Sequence, residues 1–444
     1  MTTWCTAEEA VRVVQSGNRV YVQGFAVTPT PLLQALTARG QELENVEIVH
    51  LHTYGPTPYT DPQWAGHFLL RAIFVSDNTR QAINSGRGTY TPIFLSDVPA
   101  TFRHGGEMAI DVAFIQVSPP DSHGCCSLGP AVDATLAAVN HARHVVALVN
   151  PHVPRAHGMG FINFSRIEYA VHCSDPLYVT DVVRPNDVQS RIGRYTAELI
   201  EDGATLQMGI GAIPNAVLSE LGDRRNLGIH TEMFSDGVIN LVKKGVITGA
   251  RKKLDPGKIV SSFAIGSQEL MDFIDDNPMV EFYPFDYTND SHIIRQFDHM
   301  VSINSAIQVD LTGQVCAESI GTYIYSGVGG QMDFLRGAAL SPNGKPIIAL
   351  PSTVSAKRMA DEDLDAMMQE PIDGQISRIT PFLAPGASVT TTKAHLYYVI
   401  TEYGVAYLHG LSLKDRALKL IEIAAPQFRE QLERAAFANK LLAR

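Results

Sequence analysis

Two stretches of this chain repeat one another, and the repeat limits what the chain can fold into. Residues 17–29 read Gly-Asn-Arg-Val-Tyr-Val-Gln-Gly-Phe-Ala-Val-Thr-Pro, with Leu36 seven residues on. Residues 203–214 read Gly-Ala-Thr-Leu-Gln-Met-Gly-Ile-Gly-Ala-Ile-Pro, with Leu221 seven residues on. Behind each comes an Asn that opens a second extended run, Asn45-Val-Glu-Ile-Val-His-Leu and Asn226-Leu-Gly-Ile-His-Thr-Glu. Extended run, Gly/Pro turn, helix and extended run together make a βα unit leading into another strand. Two such units in the same order predict duplicated halves. The seam falls near residues 175–190, where Ser174-Asp175-Pro176 and Arg184-Pro185-Asn186-Asp187 are turn punctuation. The expected fold is α/β, with two duplicated open α/β/α domains built on mainly parallel sheets. They span 1–185 and 186–444.

Composition narrows the function classes. Of 444 residues, 45% are hydrophobic and 18% charged, an ordinary globular balance. Lys and Arg total 35 against 46 Asp and Glu, a net charge of -11. That excludes a general electrostatic attraction to nucleic acid or an anionic membrane. It leaves open an anionic ligand met by local backbone N–H groups and a few cations. Five Cys, with Cys125 and Cys126 adjacent, fit reduced thiols. The first ten residues carry no basic and apolar signal region, and no apolar run approaches the ~18 residues of a membrane helix. The expectation is a cytoplasmic enzyme, with a homo-oligomer, a dimer at the simplest, as its assembly.

Several residues stand where chemistry is done. In Gly209-Ile-Gly211-Ala-Ile-Pro214, the loop between strand and helix aims backbone N–H groups at whatever binds there, suiting a phosphate or an oxyanion. Pro214 and Asn215 stand where a dinucleotide fingerprint needs its third Gly, and a plain tight turn fits equally well. Tyr325-Ser-Gly327-Val-Gly329-Gly330-Gln331 is a second such loop, three Gly in four residues allowing close backbone approach; a flexible hairpin turn is the competing reading. Glu232 ends the expected strand behind the Gly209 loop, whereas the first half has apolar residues around Leu51 in the matching place. An acid at the carboxyl end of such a strand is well placed for catalysis, and position alone equally fits a solvated helix-cap acid. Glu402 follows a strand and precedes Gly404, where a surface turn acid is the competing reading, and Asn289 fits an Asx turn. His123 near Cys125 and Cys126 lacks zinc-ligand spacing, and His141 and His144 sit three apart on an expected helix, so no metal is expected.

These motifs, taken together, resemble the acetyl-CoA hydrolase/CoA-transferase family, most nearly its 4-hydroxybutyrate and butyrate CoA-transferase branch. The resemblance runs from Val117-Ser-Pro-Pro-Asp-Ser-His-Gly124 through Gly228-Ile-His-Thr-Glu-Met-Phe-Ser-Asp-Gly237 and Glu318-Ser-Ile-Gly to Thr401-Glu-Tyr-Gly-Val-Ala406. It implies two duplicated α/β domains, with Glu232 as nucleophile and Asn289 and Glu402 beside it as catalytic residues. Gly209, Ile210, Gly211, Ala212 and Ile213, with Gly327, Gly329, Gly330 and Gln331, resemble the CoA-binding segments. The implied activity is transfer of CoA between a short-chain acyl-CoA and a carboxylic acid through a glutamyl-CoA thioester, with CoA as substrate and no prosthetic group. An acyl-CoA hydrolase on the same scaffold, or a non-catalytic binder of CoA or a nucleotide, are the alternatives. Acid specificity is expected from residues 25–30 and 53–59. The chain departs from the shorter family pattern at residues 356–371, where extra residues precede Ser377-Arg-Ile.

Overall fold

In the computed structural model, which describes residues 1–357 and 371–442, each copy of the repeat forms a parallel βαβ unit. The first consists of the strand Arg19–Val22, the helix Thr30–Ala38 and the strand Val46–His50, with Val20 opposite Ile48. The second consists of Thr205–Met208, Ala212–Ser219 and Gly228–His230, with Leu206 opposite Ile229. The likeness reaches the backbone torsions. Gly17 and Gly203 have φ of 79° and 78°, and Asn45 and Asn226 have φ of 53° and 56°. Their hydrogen bonds match as well. The N–H of Gly17 donates to Glu44 O and that of Gly203 to Arg225 O, at 2.9 and 2.8 Å. The N–H of Glu47 donates to Asn18 O and that of Gly228 to Ala204 O, both at 2.9 Å. Left-handed φ costs most L-residues about 1–2 kcal/mol and is tolerated by Gly and Asn, so the residues that mark the repeat are those its turns require.

The chain divides into two compact units. The first comprises Met1–Val182, His230–Asp236 and Lys258–Asp290. Its main sheet has eight strands in the order Thr3–Trp4, Tyr169–His172, His144–Val149, Val112–Val117, Arg19–Val22, Val46–His50, Phe68–Ala72 and Gly88–Tyr90. Every pairing in it is parallel. The central strand Val112–Val117, Val-Ala-Phe-Ile-Gln-Val, is buried at every position, as a strand covered on both faces must be. The same unit holds a smaller parallel set, Ile259–Ser261, Val280–Phe282 and His157–Gly158. These pairings tie residues 258–290 to the N-terminal part of the chain. Glu232 and Asn289, expected within 186–444, therefore belong to the first unit.

The second unit comprises Val183–Ile229, Gly237–Gly257 and Ser291–Arg444. Its sheet runs Gly404–Tyr407, Tyr398–Thr401, Lys345–Ala349, Met300–Asn304, Thr205–Met208 and Gly228–His230, the chain leaving the unit within the last strand. All pairings are parallel except the hairpin of Tyr398–Thr401 with Gly404–Tyr407. The helices Leu413–Ile423 and Pro426–Ala438 contribute Leu420 and Phe428 to a core with Val309, Leu335 and Val399. Pro426 opens the second of these helices, where its missing N–H costs nothing. His141 closes the helix Thr135–His141 whereas His144 opens a strand, because Ala142 is already extended. The two do not share a helix face, and His144 Nδ1 lies 2.6 Å from Glu168 Oε2. Among the described residues no helix is long and apolar enough to cross a membrane. Of the extra residues at 356–371, those at 358–370 lie outside the described residues.

Burial in the first unit has a consequence for pH. His50 ends its strand fully buried, with Nε2 2.9 Å from the Tyr59 hydroxyl. Burial pushes its imidazole pKa from 6.5 down to about 4. The folded state therefore holds the ring neutral. The stability this contributes is complete above pH 6.5 and is lost as pH falls through about 4. The difference is worth about 3 kcal/mol at most. Thermal melts should show Tm falling across that window, with a shallower fall in His50→Gln. An unchanged slope in the variant would assign the acid lability to other groups.

Candidate active site

Glu232 stands two residues past the strand Gly228–His230, and its backbone is held tightly. Its carbonyl oxygen accepts from the N–H groups of Ser262 (2.9 Å) and Phe263 (3.1 Å) and from the Ser261 hydroxyl (3.0 Å). The carboxylate is held as well, since Asn289 Nδ2 donates to Oε2 at 3.0 Å. Asn289 is fully buried and closes the short helix Phe285–Thr288. His230 fastens that helix to the strand, its Nε2 lying 2.9 Å from the carbonyl oxygen of Thr288. A carbonyl only accepts, so Nε2 carries the proton. Alternation along an extended chain thus turns His230 and Glu232 toward the same segment, one gripping its backbone and the other meeting its amide. Asn289 is more than an Asx-turn residue: the structure brings it to Glu232.

The segments read as acid-specifying pack on one another in the same unit. The N–H of Phe25 donates to His52 O at 2.8 Å, and the N–H of Tyr54 donates to the Thr28 hydroxyl at 3.1 Å. Phe25 has φ of 59°, a conformation that an aromatic residue rarely adopts. Its ring lies flat against Phe263, centroids 3.7 Å apart and planes 7° from parallel. Phe263 is one of the residues that hold the Glu232 carbonyl, so the aromatic stack reaches from residues 25–30 to the backbone of the acid.

In the second unit the remaining candidates share one sheet edge. Parallel pairing aligns the carboxyl ends of Thr205–Met208, Met300–Asn304, Lys345–Ala349 and Tyr398–Thr401. The Gly209 loop follows the first of these. Gly211, at φ 108° and ψ −172°, precedes the helix Ala212–Ser219, whose first turn holds Ala212 and Ile213; Ile210 is 40% exposed in front of it. The Gly327, Gly329 and Gly330 loop leads into the helix Gln331–Leu340, not into a hairpin. Gln331 anchors it, Nε2 donating to Ser305 O at 2.7 Å and Oε1 accepting from the Thr391 hydroxyl at 3.1 Å. Each glycine loop thus presents a helix N-terminus at this edge. Glu402 follows Tyr398–Thr401 and is buried, with Ser352 N–H donating to Oε2 at 2.9 Å and Ser352 Oγ–H to Oε1 at 2.6 Å. Ser352 was not legible as its partner, because 50 residues separate the two and only strand pairing joins them.

Residues 2–184 match the acetyl-CoA hydrolase/transferase N-terminal domain, and residues 266–436 match its C-terminal domain. The chain belongs to this family. It is 48% identical over 427 residues to a 4-hydroxybutyrate coenzyme A transferase of Clostridium kluyveri, covering 96% of this chain and 95% of that protein. It is 47% identical to a succinyl-CoA:acetate/propanoyl-CoA:succinate CoA transferase of Fasciola hepatica, covering 97% and 87%. Among solved structures, a 4-hydroxybutyrate CoA-transferase of Porphyromonas gingivalis superposes with a TM-score of 0.80 at 37% identity, covering 98% and 97%. The α/β fold with mainly parallel sheets is that of the family.

Buried acids held by short hydrogen bonds are costly to disturb. Ser352→Ala removes one of the two donors seen on the Glu402 carboxylate and leaves the other in place. The expected loss is about 1.5–3 kcal/mol, read by chemical denaturation. A loss within about 0.5 kcal/mol, the range of ordinary surface changes, would show that the contact carries little of the edge's stability.

Proposed function

We propose that this protein is an acyl-CoA:carboxylate CoA-transferase in which Glu232 is the nucleophile. The observation that carries the reading is the carboxylate of Glu232, held by a buried amide at 3.0 Å and standing in the Gly-Ile-His-Thr-Glu-Met motif of the family. The relatives of nearly half identity supply the reaction class, being named CoA transferases.

The chemistry follows from what a fixed carboxylate can do. Its oxygen attacks the thioester carbonyl of the acyl-CoA, and collapse expels CoA thiolate and leaves a mixed anhydride. The thiolate attacks the glutamyl carbonyl, the anhydride C–O bond breaks, and the first acid departs as its carboxylate. Glu232 is then a glutamyl-CoA thioester. A second carboxylate attacks that thioester, expelling CoA thiolate and forming a new anhydride. The thiolate attacks the acyl carbon of this anhydride, releasing the new acyl-CoA and the free Glu232 carboxylate. One carboxylate enters for each that leaves, one thioester replaces another, and no ATP is consumed.

Each attack on the glutamyl carbonyl places negative charge on a Glu232 oxygen. The Asn289 amide already stands at one of them, and a donor so placed is worth about 10²–10³ in rate. The two glycine loops suit CoA, whose anionic groups would be met by backbone N–H groups at helix N-termini rather than by a basic surface. Binding energy from so long a substrate helps to hold the reacting atoms in place. Glu402, engaged on both oxygens by Ser352, is held at the sheet edge of the second unit as the further acid that the resemblance assigns to catalysis. The acid is a short-chain carboxylate, and acetate, propionate, butyrate, 4-hydroxybutyrate and a C4–C5 dicarboxylate form the panel to be assayed.

Incubation with acyl-CoA followed by borohydride should convert the glutamyl thioester to an alcohol, which peptide mass mapping should locate at Glu232. Glu232→Ala should lose transfer altogether. A label elsewhere, or transfer surviving in the variant, would falsify the assignment. Rapid CoA release with no acceptor acid present would instead indicate a hydrolase.

A further inference from the structure

Asn289 offers Glu232 the correct end of its amide, and something must hold it that way round. A carboxamide has a donor end and an acceptor end of nearly the same shape, while an ionised carboxylate only accepts. Turned about, Asn289 would set its carbonyl oxygen against the carboxylate and lose the stabilising contact.

The neighbouring residue settles the orientation. Thr288 Oγ1 lies 2.9 Å from Asn289 Oδ1 and donates to it. A Thr in a helix commonly gives its proton to the carbonyl four residues back. Here that carbonyl, Pro284 O, is 3.4 Å away, so the Asn289 oxygen is the better-placed acceptor. Thr288 could also accept from the amide NH2 group, which would favour the wrong orientation. Against that stands Glu232, whose carboxylate only accepts and so takes Nδ2, leaving Oδ1 to the Thr288 hydroxyl. Ser262 Oγ donates to Tyr283 O at 2.8 Å and is in short contact with Thr288 Oγ1, where either hydroxyl can donate. His230 fixes the Thr288 backbone from the other side. His230, Ser262, Thr288 and Asn289 are all fully buried.

We infer that Thr288 is a positioning residue, its hydroxyl orienting the Asn289 amide so that Nδ2 faces the nucleophile. This rests on Glu232 being the nucleophile. Donation then runs from Thr288 to Asn289 to Glu232. Thr288 acts only through Asn289, and its loss should slow the chemical steps without weakening the hold on CoA.

The test compares Thr288→Val, which keeps the branched shape and removes the hydroxyl, with Thr288→Ser, which keeps the hydroxyl. The first should lower kcat by about 10–100-fold with KM for acyl-CoA within about twofold. Thr288→Ser should recover activity to within about threefold of the parent. In the Asn289→Ala background, Thr288→Val should add no more than about twofold, because the residue through which it acts is gone. Should Thr288→Val fail to fold in thermal melts, Thr288→Ala removes the same hydroxyl and should show the same loss, which again disappears in Asn289→Ala. Parental kcat in Thr288→Val, or an equal loss with and without Asn289, would overturn the inference. Transfer surviving in Glu232→Ala would instead overturn the nucleophile reading, and the reason for Thr288 with it.

Discussion

When two strands pair in parallel, their carboxyl ends come to the same edge, and the chain must cross back through a helix before it can pair again. The rest of this structure depends on that constraint. In the second unit it gathers the Gly209 loop, Ser305, Ser352 and Glu402 along one edge, although they are spread over nearly 200 residues of sequence. It also places a helix N-terminus after each glycine loop. Ligand-binding residues of open α/β sheets are found at that edge, where strands end.

Holding the Glu232 side chain in place has an energetic side. Glu232 has its carbonyl satisfied by three donors from residues 261–263 and a carboxylate oxygen met by Asn289. Ordering the acid costs conformational entropy when the chain folds and not when the substrate arrives. The aromatic stack of Phe25 on Phe263 adds rigidity to the same turn, at the expense of a left-handed φ at Phe25 of about 1–2 kcal/mol. Backbone strain of this kind persists only where packing on all sides enforces it.

Much of this was readable from the residues alone. The repeat and its strands follow local rules, and capping boxes at Thr6 and Asn186 open two of the helices. Glu232 stood out because an acid follows a strand where Leu51 stands in the first copy. The partners were harder to read. Asn289 lies 57 residues from Glu232 and Ser352 lies 50 from Glu402, and nothing in local pattern links them. His230 and Thr288 were hidden differently. One falls inside a quoted motif and the other beside a named Asn, yet a buried hydroxyl or imidazole has no periodicity to reveal it. The allocation of residues 230–236 and 258–290 to the first unit was equally invisible, because it depends on strands pairing across the chain.

The duplication separates what the fold supplies from what the side chains supply. Both copies make the same turn, with Asn45 and Asn226 at φ of 53° and 56° and matching hydrogen bonds before the second strand. Six residues beyond each Asn, one copy has buried Leu51 and the other has Glu232. The repeat therefore supports a core residue in one place and an acid met by a buried amide in the other. The difference lies in the segment that meets the side chain, where Asn289 donates to Glu232. An acid put at Leu51 would gain the turn but not the oriented amide. The hold on the Glu232 carboxylate is thus a property of side chains grafted onto a repeated scaffold, and the scaffold alone does not predict it.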